Sequence, residues 1–165
     1  MEGSMPTGAP IIMMWEGMGL QITEPMVPLF PPCSYAEFPT RYCGAGNGWG
    51  ERMVPDWIFG YTRCLPGPLN IAIKISPACY IHDLDYQFAA PTWEAFHAAN
   101  SRFYANIKAI VDKQAQGYPA PLLRQAMRYP EVYAQAVDTI GRPVFWSIKR
   151  DEGHLLPASA EWILA

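Results

Sequence analysis

Charge is what this sequence has least of. Of 165 residues, 16% are Asp, Glu, Lys or Arg, against about 25% in an average soluble domain. The shortage is sharpest at the front: residues 1–40 contain no Lys or Arg and only four acids, Glu2, Glu16, Glu24 and Glu37. A formal net charge of -3 gives no general attraction to phosphate backbones, which excludes nucleic acid as a first expectation for a partner. Long apolar runs are missing too. The longest uncharged stretch, Gly3 to Trp15, is thirteen residues and holds two prolines, short of the ~20 that cross a bilayer. No transmembrane segment is expected. Nor is a classical export signal, because Glu2 stands where a base should precede the apolar run, and Pro6 and Pro10 break that run. With half its residues apolar, the chain is not composed like a disordered one.

Proline is abundant where charge is not. Ten of the 17 prolines precede residue 69, so the front of the chain cannot be mainly helical. Six of the eight methionines fall within the first 26 residues, and adaptable Met side chains suit a contact surface. Residues 1–40 therefore read as an extended Pro/Met-rich arm lying against its own domain or against a protein partner, a second copy of the chain included. Ile11-Ile12-Met13-Met14-Trp15 within it could be a buried strand or an anchoring segment. From Arg41 the text changes to glycine loops, with Gly44, Gly46, Gly48 and Gly50 within seven residues. Ser76-Pro77 then signals a helix start with Ser as N-cap, predicting a helix from about Pro77 to Ala89. Pro91-Thr92 repeats the signal, and Trp93, Phe96, Asn100, Phe103, Ile107, Ile110 and Val111 keep helical spacing until Gly117. This second helix should run antiparallel to the first. A third helical stretch is predicted from Pro121 to Ile140, interrupted at Tyr129-Pro130 and closed by Gly141. Its buried face would be Leu122, Leu123, Ala126, Val132, Tyr133, Ala136, Val137 and Ile140. After Pro143 the chain reads as a tail anchored by Phe145, Trp146 and Trp162. The division expected is an arm at 1–40, a mainly α domain at 41–146 and a tail at 147–165.

The first helix carries the chemistry. Cys79, His82, Asp83 and Tyr86 sit at i, i+3, i+4 and i+7, so all four project from one face. That face is polar where a core helix should be apolar, and it is free to line a pocket. Asp85 points off it and is expected in solvent, and His97 reads as a helix-surface histidine. Thiolate and imidazole also suit zinc, with Cys79-x-x-His82 joined by Cys43 and Cys64, but no second CxxC or HxxxH pair accompanies them.

Together, Tyr42-Cys43-Gly44-Ala45-Gly46 and Cys79-x-x-His82-Asp83-x-x-Tyr86 resemble the two signatures of the phospholipase A2 superfamily. The resemblance covers about Arg41 to Val111. It implies a core of two antiparallel helices with a glycine-rich calcium loop, in which the carbonyls of Tyr42, Gly44 and Gly46 and the carboxylate of Asp83 hold calcium. Calcium is hard and takes six to eight oxygens, which such a loop, one carboxylate and waters can supply. The resemblance also implies a disulfide between Cys43 and Cys79, which would leave Cys33 with Cys64. The activity implied is hydrolysis of the sn-2 ester of a phospholipid at a membrane surface, with His82 as general base on water and Tyr86 bonded around it.

Two departures from the family pattern matter. The Asp that normally orients the imidazole is replaced by Asn100, which can hold a tautomer but supplies no negative charge. The span from Gly46 to His82 is 36 residues, longer than in secreted animal enzymes, so Gly48 to Lys74 contains an insertion. The spacing is more similar to bacterial, fungal and viral phospholipase-like domains. These departures keep open a second expectation, a weak or inactive phospholipase-like structural or delivery component of a virus particle or secretion apparatus. In either case the expected location is outside the producing cell by a non-classical route, or on a virion.

Overall fold

The computed structural model describes residues 10–40, 42–43, 55–62 and 69–165, with the backbone alone at 59–62 and 69–71. Among these, five α-helices and two small hairpins share the architecture, so the mainly α expectation stands. Strands β1 (Ile11–Trp15) and β2 (Met18–Ile22) pair antiparallel, from Ile11 opposite Ile22 to Trp15 opposite Met18. The two-residue turn between them puts Glu16 at φ 48 and Gly17 at φ 76, the doubly left-handed geometry that matches strand twist. Met18, Leu20 and Ile22 alternate inward along β2. A 3-10 helix follows at Glu24–Leu29, started by Pro25 and burying Met26. Residues 10–40 are thus not the extended arm expected from composition. Their apolar side chains enter the same core as the first long helices.

Strands β3 (Trp57–Thr62) and β4 (Leu69–Lys74) form a second antiparallel hairpin, with Ile58 opposite Ile73 and both buried. It occupies the region that the sequence marks as an insertion. Helix α1 (Ser76–Phe88) follows directly. Its N-cap is Ile75 rather than Ser76, because the Ser76 hydroxyl donates to Asp56 Oδ2 at 2.7 Å instead of capping. Helix α2 (Trp93–Gln114) begins as expected, with the Thr92 side chain accepting from the Ala95 N–H at 3.1 Å. Tyr86 meets Phe96 near the connecting turn and His82 meets Phe103 further from it, so the two helices run antiparallel. β2 is tied to α2 through buried Asn106, whose Oδ1 accepts from the Gln21 N–H at 2.6 Å and whose Nδ2 donates to the Gln21 carbonyl at 2.8 Å. One amide side chain thereby satisfies both backbone groups of a strand residue.

Helices α3 (Ala120–Ala126) and α4 (Tyr129–Asp151) correct the third prediction. The break near Tyr129 is present, but α4 does not stop at Gly141. It continues through Pro143 because Phe145 and Trp146 lie beyond and are fully buried. The buried residues of α4 are Pro130, Tyr133, Gly141, Phe145, Trp146 and Lys149. Leu123, Val132 and Ile140, expected inside, are exposed, Ile140 at 69%. The expected tail is also helical, to Asp151 and again in α5 (Ala158–Leu164). Trp162, expected as an anchor, is 84% exposed. No helix among the described residues is long and apolar enough to cross a membrane.

Candidate functional site

α1 carries the site because its two faces are satisfied differently. Asp85, expected in solvent, is buried and bonded through both carboxylate oxygens to Arg102 on α2, at 2.7 Å from Nε and 2.6 Å from Nη2. A fork of this kind neutralises both charges and fixes the register of α1 on α2. The turn bearing His82 and Tyr86 meets α2 at Asn100. His82 Nε2 lies 2.8 Å from Asn100 Oδ1, and the Tyr86 hydroxyl donates to the same oxygen at 2.8 Å. The imidazole stacks on Phe103 with ring centroids 4.4 Å apart and touches the Tyr86 ring at 4.2 Å. The structure therefore brings together three of the residues singled out from the sequence: His82, Tyr86 and Asn100.

A fourth member, Asp138 on α4, was not visible in the sequence. Its Oδ1 accepts from Asn100 Nδ2 at 2.7 Å. It lies 38 residues beyond Asn100, and no motif or spacing links the two. Gly141, one turn further along α4, is what lets the helix approach. A Cβ there would stand 2.5 Å from the Tyr86 hydroxyl oxygen.

Burial dominates the electrostatics. Desolvation lowers the His82 pKa to about 4, outweighing the opposing bond from Asn100 and the carboxylates of Asp85 and Asp138, while Arg102 adds to the lowering. The ring is neutral at pH 7. Tyr86 is raised, first by burial, so its hydroxyl stays protonated and donates. Asp83 stands on the outer side of α1. Its carboxyl is raised to about 7, by desolvation and then by the nearby Asp56 carboxylate, even though the residue as a whole reaches solvent.

The Cys43–Cys79 disulfide is present, with Cα atoms 5.1 Å apart, and it ties the chain at Cys43 to α1 one turn before His82. That pairing removes both thiolates from any zinc site. Cys33 is a free thiol; Cys64, its expected partner, lies outside the described residues. Asp56 orders the same corner. Its carboxylate accepts from the N–H groups of Tyr42 at 3.1 Å and Cys43 at 3.2 Å, as well as from Ser76. Tyr42 thus sits beside α1, its ring 5.0 Å from that of Tyr80. Gly44 and Gly46 lie outside the described residues. Among the described residues no three His, Cys, Asp or Glu side chains converge as metal ligands. His97 is at the surface as expected, stacked against Trp93.

The arrangement is a buried neutral imidazole with one nitrogen committed, an exposed carboxylate on the next residue, and a disulfide-anchored segment, Tyr42-Cys43, beside them. No family model, no curated protein and no solved structure matches the chain.

Proposed function

We propose that the chain is a calcium-dependent phospholipase A2-type hydrolase, cleaving the sn-2 ester of phospholipids at a membrane surface. One observation carries the reading: His82 Nε2 is held by an oxygen that also binds Tyr86, while among the described residues nothing hydrogen-bonds Nδ1. A histidine fixed at one nitrogen and open at the other is what general-base catalysis on water requires. His82 Nδ1 takes a proton as the water oxygen bonds to the ester carbonyl carbon. The imidazolium returns that proton to the departing glycerol oxygen as the acyl–oxygen bond breaks. Tyr86 and Asn100 keep the ring from turning between these steps.

The residues present fit calcium chemically. Asp83 is a hard oxygen donor for which no cation or donor serves as partner among the described residues, and such a carboxylate with loop carbonyls and waters matches calcium's preference. Asp83 and the carbonyls of Tyr42, Gly44 and Gly46 would hold the ion. Bound there, calcium would supply positive charge for the substrate phosphate and the developing oxyanion.

The test is release of sn-2 fatty acid from phosphatidylcholine and phosphatidylglycerol vesicles by the full chain, in calcium and in EDTA. Release that needs calcium and is lost in His82→Ala supports the reading. No release by the wild-type chain at millimolar calcium overturns it. The second reading, a phospholipase-like structural or delivery component without turnover, is favoured by two features: an amide rather than a carboxylate touches His82, and the pKa of His82 is lowered to about 4. Such an imidazole is a weak base.

A further inference from the structure

The amide of Asn100 has two ends that could each face either way, and its orientation decides which nitrogen of His82 carries the proton. We propose that Asp138 is a positioning residue that sets this orientation, and so holds His82 as the tautomer with its proton on Nε2 and Nδ1 free to accept.

The inference follows from donor and acceptor capacity. An ionised carboxylate can only accept, so the end of Asn100 that lies 2.7 Å from Asp138 must be the donating Nδ2. The oxygen is thereby turned inward, where it accepts from the Tyr86 hydroxyl and faces His82 Nε2, each at 2.8 Å. An oxygen cannot donate, so Nε2 must carry the hydrogen. Each link forces the next. Without the carboxylate the amide could turn over, offering Nδ2 to Nε2 and moving the ring proton to Nδ1, the nitrogen that the hydrolytic step needs empty. A negative charge is thus present at this site one residue removed from the histidine, on α4 instead of α2. Asp138 is half-buried, so its substitution need not disturb the core.

The inference rests on the ester-hydrolysis reading for its catalytic meaning, but its main readout does not. The tautomer is read from the ring-nitrogen shifts of His82 in histidine-labelled full-length protein at one pH near 7.5, compared across wild type, Asp138→Asn, Asp138→Ala and Asp138→Lys. Wild type should show Nε2–H. Asp138→Asn still offers an oxygen to Asn100 and should keep Nε2–H. Asp138→Ala should give a mixture. Asp138→Lys can only donate, so it should turn the amide over and shift His82 to Nδ1–H, with kcat down by about 10–100-fold, the usual effect of an outer partner that orients a histidine, and KM little changed. Unchanged Nε2–H in both the Ala and Lys variants overturns the proposal. If the wild-type chain releases no fatty acid, the hydrolase reading fails, while the tautomer series still decides the role of Asp138.

Discussion

At the scale of single residues, His82 and Asp83 are neighbours that respond to acid in opposite senses. His82 has its folded pKa lowered to about 4, below the ~6.5 of an unfolded histidine. As pH falls from about 6.5 to 4 the unfolded chain takes up a proton that the folded one refuses, so this residue makes the fold less stable with acid. Asp83 has its folded pKa raised to about 7, above the ~3.9 of an unfolded aspartate. It therefore destabilises the fold at pH 8 and ceases to do so toward pH 4. Asp83→Asn should accordingly raise the midpoint of thermal unfolding in EDTA at pH 8 while abolishing any rise that calcium confers on the wild type. A variant that is no more stable in EDTA and still stabilised by calcium would remove Asp83 from the ligand set. Asp85 and Arg102 give a second prediction at this scale. Arg102→Ala leaves a buried carboxylate unpaired and should cost about 3–5 kcal/mol, whereas replacing the pair by Leu and Met should cost far less; denaturant midpoints measure the difference. Asp85 also shows where sequence reading failed. A helical wheel gives its angle from His82 but does not say that Arg102 waits there. The same holds for Asp138: His82, Tyr86 and Asn100 were legible because two motifs and helical spacing placed them, while a partner from a distant helix leaves no periodic trace.

At the scale of elements, α4 shows how tertiary contact overrides local signals. Glycine followed by proline two residues later predicts a helix end, and Pro143 forfeits a hydrogen bond to the fourth carbonyl before it. The helix persists because Phe145 and Trp146 bury completely against Phe96, Trp93 and Tyr86. Truncating a large aromatic at such a site costs about 3–5 kcal/mol, enough to outweigh one proline. Gly141 has a separate reason to be where it is. In an exposed helix, Gly→Ala gains about 1 kcal/mol. Here the new methyl would meet the hydroxyl of Tyr86, a ring held between His82 and Phe145. Gly141→Ala should therefore destabilise by about 1–3 kcal/mol, the usual range for overpacking, and pairing it with Tyr86→Phe should recover most of the loss. Chemical denaturation of the two single variants and the double variant reads the coupling directly. Additive effects would mean that the close approach is not what constrains Gly141. The β1–β2 hairpin was hidden for a related reason: its turn uses Glu16 where Asn, Asp or Gly would announce the left-handed geometry. Glu16 is held there by its carboxylate, which accepts from the Tyr35 N–H at 2.7 Å, a contact from nineteen residues away.

For the whole molecule, the core that the proline-rich front shares with the helices is reinforced by long-range ties. Asn106 clasps Gln21, the Tyr35 hydroxyl donates to the Lys74 carbonyl, buried Lys74 reaches the carbonyls of Ala36 and Phe38, and Cys43 is bonded to Cys79. Composition predicted that the front must be covered, since its apolar residues carry no bases, and the cover is this chain's own α1 and α2. The mainly α class and the helix pair were legible because helical periodicity is local; the packing of the front was not, because its ties join residues far apart in sequence. The disulfide is the tie with the clearest consequence. It closes a loop with a sequence separation of 36, for which chain entropy in the unfolded state predicts about 3–4 kcal/mol. A Cys43→Ser/Cys79→Ser double variant should lose about that much by denaturant unfolding, and the wild type with reductant should match it. The site should suffer beyond the change in stability, because the bridge and Asp56 together fix Tyr42 and Cys43 beside α1. At a temperature where the double variant is still fully folded by circular dichroism, the proposed calcium binding should weaken while the His82 tautomer stays as in the wild type, since Asn100 and Asp138 belong to α2 and α4. Loss of the tautomer together with calcium binding would mean instead that the bridge supports the whole helical core.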